Sequence, residues 1–377
     1  MIKKKLDKVM ALMLSGTLAL SLAACGSQPA ETTSTTESVA GTQEASAEPP
    51  VLFESAYGSK AEALQAGLDL NVAIAEEGMI LLKNEADALP LAKESKVTLL
   101  GYAAIAPNAG ASKNGGDASA GSAIAQANVI SGMEDAGLQL NHTVLNLYTQ
   151  WSAEEVEGAV VEEGKEAPKK TSDVLVAEDF AEASQTEEWK ASLEEYSDAA
   201  FVVISGGTGE GRVHSLQLDA VQYDLIDYAT ENFDKVIVLV NSCTPIEIAE
   251  IQRNEAIDAV LNIGEPGDNG FEALGRVITG EVNPSGKTVD TWAVDFTENP
   301  SYTIFNTTVS ATAQGVDGNG TETGYTQYSV NGELVNTWSV GYEEGIYVGY
   351  RYYETRSFEE NKTGAEDACW NENVSYP

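Results

Sequence analysis

The chain has few of the residues that build metal centres and disulfide frameworks. Its 377 residues include two histidines and three cysteines, with no paired Cys motif. A structural zinc site needs about four such ligands, so we expect no metal. We also expect no other cofactor. The Gly-rich stretch "GYAAIAPNAGASKNGGDASAGSA" has neither the spacing of a dinucleotide-binding loop nor the Gly-Lys-Ser/Thr of a phosphate loop.

Basic residues are scarce as well. The chain has 21 Lys and Arg against 59 Asp and Glu, which gives a formal net charge of −38 at pH 7. A field of that sign repels phosphate backbones and anionic lipid surfaces. We therefore expect no nucleic-acid partner.

The amino terminus carries a targeting signal. Lysines precede the apolar run "VMALMLSGTLALSLAA", which ends at Cys25 and is too short and too interrupted for a comfortable membrane span. The sequence Leu22-Ala23-Ala24-Cys25 resembles the lipobox of bacterial lipoproteins, which implies cleavage before Cys25 and lipidation of its thiol. The alternative is a plain secretory signal in which Cys25 is incidental.

The composition after the signal predicts a tether and then a folded part. Residues 25–52 contain almost no large apolar side chains, so burial cannot offset the entropy lost on ordering them. We assign 1–24 to the signal, 25–52 to a flexible tether, 53–305 to a folded domain and 306–377 to an irregular or β-rich extension. The protein would then be extracytoplasmic, anchored to the bacterial membrane by its lipid.

Beyond the tether, apolar strand patterns alternate with helical ones. "AEALQAGLDLNVAIAEEGMILLKN" has apolar residues at helical spacing and predicts a helix that ends near Pro90. "KVTLLGYAA", "AAFVVISGG", "KVIVLVNS" and "AIDAVLNIG" predict strands, with amphipathic helices between them. This alternation predicts an α/β fold with a mostly parallel sheet flanked by helices on both faces, an α/β sandwich.

The stretch "GGTGEGRVH" places Glu210 among glycines just past the end of a predicted central strand. In parallel sheets, ligands bind outside the carboxyl ends of the strands. Glu210 is therefore a candidate functional carboxylate. The alternative is a solvent-facing residue on a loop that only turns the chain.

Two further patterns have ordinary structural interpretations. Cys243 lies at an apolar strand end, where a buried free thiol is the usual case, and a disulfide to Cys369 is the minority alternative. The tyrosines of "YEEGIYVGYRYYETR" could stack on sugar rings. However, the alternation of Ile346, Val348 and Tyr350 favours a packed strand.

Five separated motifs, in one order from about Ala61 to Pro377, resemble the α/β sandwich of family 3 glycoside hydrolases, conventionally called their C-terminal domain. They are "EEGMILLKNEADALPL", "GEG" with two leucines behind it, "VIVLVNSCTPIEI", "NIGEPGDNGFEALGRVITGEVNPSGKTVDTW" and "YEEGIYVGYRYYET".

The resemblance implies an exo-acting, retaining β-glucosidase-type enzyme whose substrate is an oligosaccharide or glycoside. It makes Glu210 the general acid/base. Arg212 and His214 follow in the same stretch and are the candidate substrate contacts, although a bystander histidine is the alternative for His214. The family often has an Asp-Arg pair after this motif, and the chain departs from that pattern. Glu265, on the Gly-rich loop of "IGEPGDNG", is the next carboxylate to consider.

The family's nucleophile is an Asp at the mouth of a (β/α)₈ barrel, and no segment of the chain is predicted to form one, because a barrel needs roughly 200 residues or more. The domain order resembles the swapped branch of the family, in which the sandwich comes first. We therefore expect the front of a longer enzyme, inactive alone, whose barrel domain completes the site. The alternative is a barrel-less, non-catalytic lipoprotein that binds carbohydrate or a partner.

Replacing Cys25 with Ala tests the anchor. The wild-type protein should partition with membranes and carry lipid on Cys25, whereas Cys25→Ala should be released into the soluble fraction. Fractionation with mass spectrometry of the amino-terminal peptide measures both properties. Unchanged membrane retention of the variant would contradict a lipoprotein anchor.

Overall fold

A computed structural model describes residues 55–110, 127–161, 164–206, 216–302, 326–330, 333–337, 344–362 and 374–376. The contacts within Tyr57–Pro377 define one unit. Within the described ranges, no helix combines the length and the apolar composition needed to cross a membrane.

Helices and strands alternate along most of the described chain, with short 3₁₀ turns at Tyr102–Ala104 and Phe296–Glu298. In chain order the elements are α1 (Lys60–Gly78), β1 (Ile80–Asn84), β2 (Lys96–Leu100), α2 (Val129–Asp135), β3 (Gln139–Leu140), α3 (His142–Ala153), α4 (Asp173–Ala183), α5 (Glu187–Glu195), β4 (Ala199–Ser205), α6 (Ala220–Asn232), β5 (Val236–Asn241), α7 (Ala249–Arg253), β6 (Ala259–Asn262), α8 (Phe271–Ile278), β7 (Trp292–Ala293), β8 (Thr326–Val330), β9 (Glu333–Thr337), α9 (Tyr350–Asn361) and β10 (Val374–Tyr376).

The main sheet has the strand order β1-β6-β5-β4-β2-β3. Its pairings are parallel except at the β1 edge, which is antiparallel to β6. The described residues also form two small antiparallel pairs, β7 with β10 and β8 with β9. The described part of the chain contains no closed barrel, and the mostly parallel sheet confirms the predicted fold class.

Alternate residues of the central strands supply two separate apolar clusters, one on each face of the sheet. Phe201 and Leu239 point into the cluster formed with α1, α2 and α8, whereas Val202 and Val238 point into the cluster formed with α3–α7. All four side chains are fully buried. Each such side chain stabilises the fold by roughly 1.5–3 kcal/mol through burial, so the sheet needs helices on both faces.

The first helix is shorter than the sequence predicts. It ends at Gly78, and Ile80–Asn84 forms β1, with Ile80 paired to Asn262 of β6. The predicted helix is confirmed as far as Gly78. Beyond it, the open edge of β6 offers backbone hydrogen bonds that a longer helix would leave unpaired, and tertiary pairing overrides the local periodicity.

The predicted packed strand around Tyr350 is wrong. Ile346, Val348 and Tyr350 are 68%, 45% and 52% exposed, and Tyr350 begins α9. Gly345 and Gly349 both have positive φ, of 61° and 57°. Residues of a β-strand have negative φ, so a strand cannot pass through Gly345 or Gly349. The alternating apolar residues between these glycines therefore do not form a strand.

Helices α2 and α8 touch through glycines. A Cβ on Gly132 of α2 would overlap the carbonyl oxygen of Phe271, and a Cβ on Gly275 of α8 would overlap the carbonyl oxygen of Gly132. The two backbones therefore lie in direct contact on the face of the sheet that α1 also covers. Such a contact leaves no room for a methyl group.

Alanine substitutions at two helical glycines test this contact. Gly132→Ala should lower the free energy of unfolding by about 1–3 kcal/mol, because the methyl group must displace backbone. Gly67→Ala in α1 is the matched control, since nothing lies within 4 Å of its added Cβ. That control should be neutral or stabilise by about 0.5–1 kcal/mol. Urea denaturation measures both changes, and equal effects would contradict a backbone-to-backbone contact.

Candidate functional site

The carboxyl ends of β2, β4, β5 and β6 meet at one edge of the sheet, which we call the carboxyl edge. The chain leaves β2 into residues 101–110, β4 at Gly206, β5 into residues 242–248 and β6 into residues 263–270. Because helices cover both faces, this edge is where a parallel sheet presents loops to a ligand.

Asn241, the last residue of β5, links two of these loops. Its side chain is fully buried. Its Oδ1 accepts the backbone N–H of Asn108 at 2.6 Å, and its Nδ2 donates to the carbonyl oxygens of Asn108 at 2.9 Å and Gly264 at 2.6 Å. Because a buried amide must be satisfied, the loops after β2 and β6 are held to the end of β5.

Glu265 lies where three loops meet. Asn108 Nδ2 donates to Glu265 Oε1 at 2.5 Å. Gly110, with a φ of 98°, approaches so closely that a Cβ there would lie 2.9 Å from Oε2. The Cys243 thiol lies near enough for the Glu265 carboxylate to raise its pKa. The carboxylate is half-buried, and the Asn108 amide and the Gly110 backbone, both from the loop after β2, contact it directly.

Cys243 is exposed, so the expectation of a buried thiol is wrong. The apolar run of β5 ends at Val240, the strand ends at Asn241, and Cys243 lies on the loop beyond it. Partial burial and the nearby Glu265 carboxylate raise the pKa of the thiol to about 11. The thiol is therefore protonated at neutral pH. Cys369 lies outside the described residues, so a Cys243–Cys369 disulfide stays a prediction.

The start of the loop after β2 is held by buried polar side chains. The Tyr148 hydroxyl accepts the N–H of Gly101 at 3.0 Å, and Asp173 Oδ1 accepts the N–H of Tyr102. Gly101 has a φ of 101°, and a Cβ there would lie 2.5 Å from the carbonyl oxygen of Val203. The chain therefore turns at Gly101 in a conformation that only glycine adopts without strain.

Asp173 is a buried carboxyl group, 9% exposed, at the first turn of α4. Burial raises its pKa to about 6, the N–H of Tyr102 opposes that rise, and the charge of Asp219 adds to it. The group lines a cavity of about 330 Å³ between α4 and α6, together with Tyr148, Phe180 and Tyr228. Carboxyl groups with a raised pKa occur often at functional sites, and this one contacts the loop after β2.

The predicted catalytic loop begins at the same edge. Strand β4 ends at Ser205, and a Cβ on Gly206 would lie 2.5 Å from Ser242 Oγ, so the chain passes tightly beside the β5 loop. Residues 207–215 lie outside the described residues, and with them the predicted site residues, Glu210, Arg212 and His214. Cys25 also lies outside the described ranges.

Gln222 binds described residues on both sides of that segment, Ser205 before it and Asp219 after it. Its Nε2 donates to the carbonyl oxygen of Ser205 at 3.2 Å, and its backbone N–H donates to the Asp219 side chain at 2.9 Å. Asp219 caps α6. The buried Gln222 thus joins the end of β4 to the start of α6.

Several of these residues carry only weak sequence signals. Asn241 is a polar residue at the end of an apolar strand run, a pattern that could have identified it. Asp173 resembles an ordinary acidic residue in the first turn of a helix. Its burial depends on packing that the local sequence does not encode. The described residues contain no group of three His, Cys, Asp or Glu side chains that could hold a metal ion.

The fold and the polar carboxyl edge define the class of protein: an α/β sandwich domain in which polar loops meet at the carboxyl ends of the parallel strands. The sequence profile described as the Glycosyl hydrolase family 3 C-terminal domain matches residues 79–350. The chain therefore belongs to this family.

Curated relatives carry β-glucosidase names. Beta-glucosidase A of Butyrivibrio fibrisolvens is 25% identical over 327 residues, covering 79% of this chain and 34% of the relative. Thermostable beta-glucosidase B of Acetivibrio thermocellus is 29% identical over 285 residues, covering 76% of this chain and 30% of the relative. The chain thus spans about a third of the length of these relatives.

Solved structures agree with the fold. The beta-glucosidase 3B from Thermotoga neapolitana in complex with glucose matches with a TM-score of 0.56 and 26% identity, over 78% of this chain and 37% of that chain. A beta-glucosidase from Paenibacillus barengoltzii matches with a TM-score of 0.54 and 25% identity, over 82% of this chain and 29% of that chain.

Replacing Asp173 with Asn tests the buried carboxyl group. Its pKa is about 6 in the folded protein and near 3.8 in the unfolded chain. Ionisation of Asp173 therefore opposes folding, and the stability contributed by its protonated form is lost as pH rises from about 4 to about 6. Asn keeps an acceptor for Tyr102 and cannot ionise. Relative to wild type, Asp173→Asn should gain up to about 2–3 kcal/mol between pH 4 and pH 7.

Denaturation at a series of pH values measures this gain. Asp224→Asn, an exposed residue of α6 that lines the same cavity, is the control and should follow the wild-type pH dependence. A stability difference between Asp173→Asn and wild type that is constant with pH would contradict the raised pKa.

Proposed function

We propose that the chain supplies the acid/base domain of a retaining, exo-acting β-glucosidase-like enzyme, with Glu210 as the general acid/base. The observation that carries this proposal is the position of β4: the strand that leads to the Gly-Glu-Gly motif ends at the carboxyl edge, beside the loops joined by Asn241. Membership in the family and the β-glucosidase names of the relatives support it.

The proposed chemistry needs two carboxyl groups about 5 Å apart, one to attack the anomeric carbon and one to protonate the leaving oxygen. Glu210 would donate the proton and, in the second step, activate water. Arg212 and His214 would contact the sugar. The nucleophile would come from a barrel domain that closes over the carboxyl edge. Without it the chain should not turn over glycosides, because proton transfer alone contributes roughly 10²- to 10⁴-fold.

We also propose that the enzyme acts outside the cytoplasm, attached to the bacterial membrane through a lipid on Cys25. The apolar run that ends at Cys25 and the polar, Ser- and Thr-rich segment that follows support this location. A tether of this composition would keep the domain at the membrane while leaving the carboxyl edge accessible to soluble glycosides.

A Glu210→Ala substitution in the full-length enzyme that carries this domain tests the acid/base role. A general acid matters most when the leaving group is poor. The variant should therefore lose most of its activity on a disaccharide and much less on a dinitrophenyl glycoside. Azide should rescue the second activity, because a small anion can attack the glycosyl-enzyme without a general base.

Steady-state kinetics on both substrates measure these effects. Glu85→Ala is the control, since Glu85 is exposed and follows β1 at the opposite edge of the sheet. Equal slowing of both substrates without azide rescue would assign the acid/base role to another carboxylate. Absence of turnover in the full-length wild type would instead favour a domain that binds carbohydrate or a partner without catalysis.

A further inference from the structure

The cavity between α4 and α6 is lined by acidic, aromatic and apolar side chains. Its volume is about 330 Å³, near the lower end of the range in which proteins bind small molecules. None of the described residues that line it is Lys, Arg or His. Its acidic lining residues are Asp173, Asp224, Asp227 and Glu231. The lining therefore presents charge of one sign only to a molecule that enters.

The acidic residues of this cavity differ in depth. Asp173 of α4 is buried, whereas Asp224, Asp227 and Glu231 are exposed on α6. The exposed three are spaced three and four residues apart, so they follow one face of the helix. A molecule in the cavity would meet one buried carboxyl group and, on the other side, a row of exposed carboxylates.

The buried carboxyl group has no cationic partner within the described ranges. Its pKa of about 6 leaves it largely ionised at neutral pH, and the charge that acts on it is that of Asp219, which is also negative. Asp179, on the same helix and less deeply buried, pairs with Lys170. Buried carboxylates usually have such a partner, because burial removes the water that would solvate the charge. The N–H of Tyr102 that binds Asp173 carries no net charge.

The aromatic walls favour an organic cation over a metal ion. Phe180 and Tyr228 lie edge to face, with ring centroids 5.1 Å apart, and the Tyr228 hydroxyl accepts the indole N–H of Trp189 at 2.8 Å. Aromatic side chains bind both apolar groups and cations. A metal ion would need several ligands at short distance, and the described part of the chain holds no group of three His, Cys, Asp or Glu side chains suited to one.

We propose that the cavity between α4 and α6 binds a small organic cation, whose ammonium group pairs with the carboxylate of Asp173 while its apolar body lies against Phe180 and Tyr228. The exposed carboxylates of α6 would draw the cation to the cavity through their negative potential. Such binding does not depend on glycoside hydrolysis.

A titration of the whole chain with n-butylammonium chloride tests this site. Backbone amide chemical shifts are followed at neutral pH in about 0.1 M salt, which screens exposed surface charges. The neutral alcohol 1-butanol, of nearly the same size and shape, is the control ligand. Butylammonium should cause saturable shifts confined to α4, α6 and the residues packed on them. The affinity for 1-butanol should be about tenfold lower or less, because it cannot pair with a carboxylate.

Three variants make the titration specific. Asp173→Asn removes the buried charge and keeps an acceptor for Tyr102, so the affinity for butylammonium should fall about tenfold or more. Ala177→Leu fills the cavity without changing its charge and should also weaken binding. Glu178→Gln removes an exposed charge of α4 outside the cavity lining, and this matched control should retain wild-type affinity. The same spectra report whether each variant is folded.

Loss of binding in Asp173→Asn and Ala177→Leu, with affinity retained in Glu178→Gln, would support the site. Equal affinity in wild type and Asp173→Asn would overturn the role of the buried carboxylate. Equal affinity for butylammonium and 1-butanol would show an apolar cavity that does not select cations. Shifts that spread over the surface and do not saturate would show only screening of the net negative charge. Each of these last three results would reject the proposal, whatever the kinetics of Glu210 variants show.

Discussion

The carboxyl edge depends on one buried side chain, that of Asn241. An amide with no exposure to water must find partners inside the protein, and its partners are the backbone groups of Asn108 and Gly264. Those bonds fix the loops after β2 and β6 against the end of β5. The positions of Asn108 and Glu265, and the narrow approach of Gly110, all follow from this arrangement.

Two polar side chains, Asp173 and Tyr148, are buried behind the carboxyl edge, although burying a polar group costs free energy. The carboxyl group of Asp173 accepts the N–H of Tyr102, and the neutral hydroxyl of Tyr148 accepts the N–H of Gly101. Together they accept hydrogen bonds from two backbone N–H groups at the end of β2, where the loop begins. Since burying a carboxyl group opposes folding when it ionises, its presence is better understood as fixing the site loop than as stabilising the fold.

Much of the architecture is predictable because its pattern is local. Apolar runs such as Ala199–Ser205 and Val236–Asn241 are buried on both faces and follow the expected strand pattern closely. Two errors have tertiary causes: β1 forms because β6 has an open edge, and the residues around Tyr350 are interrupted by glycines with positive φ. Cys243 is exposed because the apolar pattern ends one residue before the strand itself does, at Val240, and Cys243 lies on the loop beyond.

The sequence by itself determined the fold class, the family motifs and the position of Glu210 after a central strand, because each depends on the order and periodicity of neighbouring residues. Only the tertiary structure decided that Asn108, Asn241, Cys243 and Glu265 form one cluster. Asn108 and Glu265 are 157 residues apart in the chain, and no local pattern links them. Their contact exists because parallel strands bring the loops that follow them to the same edge of the sheet.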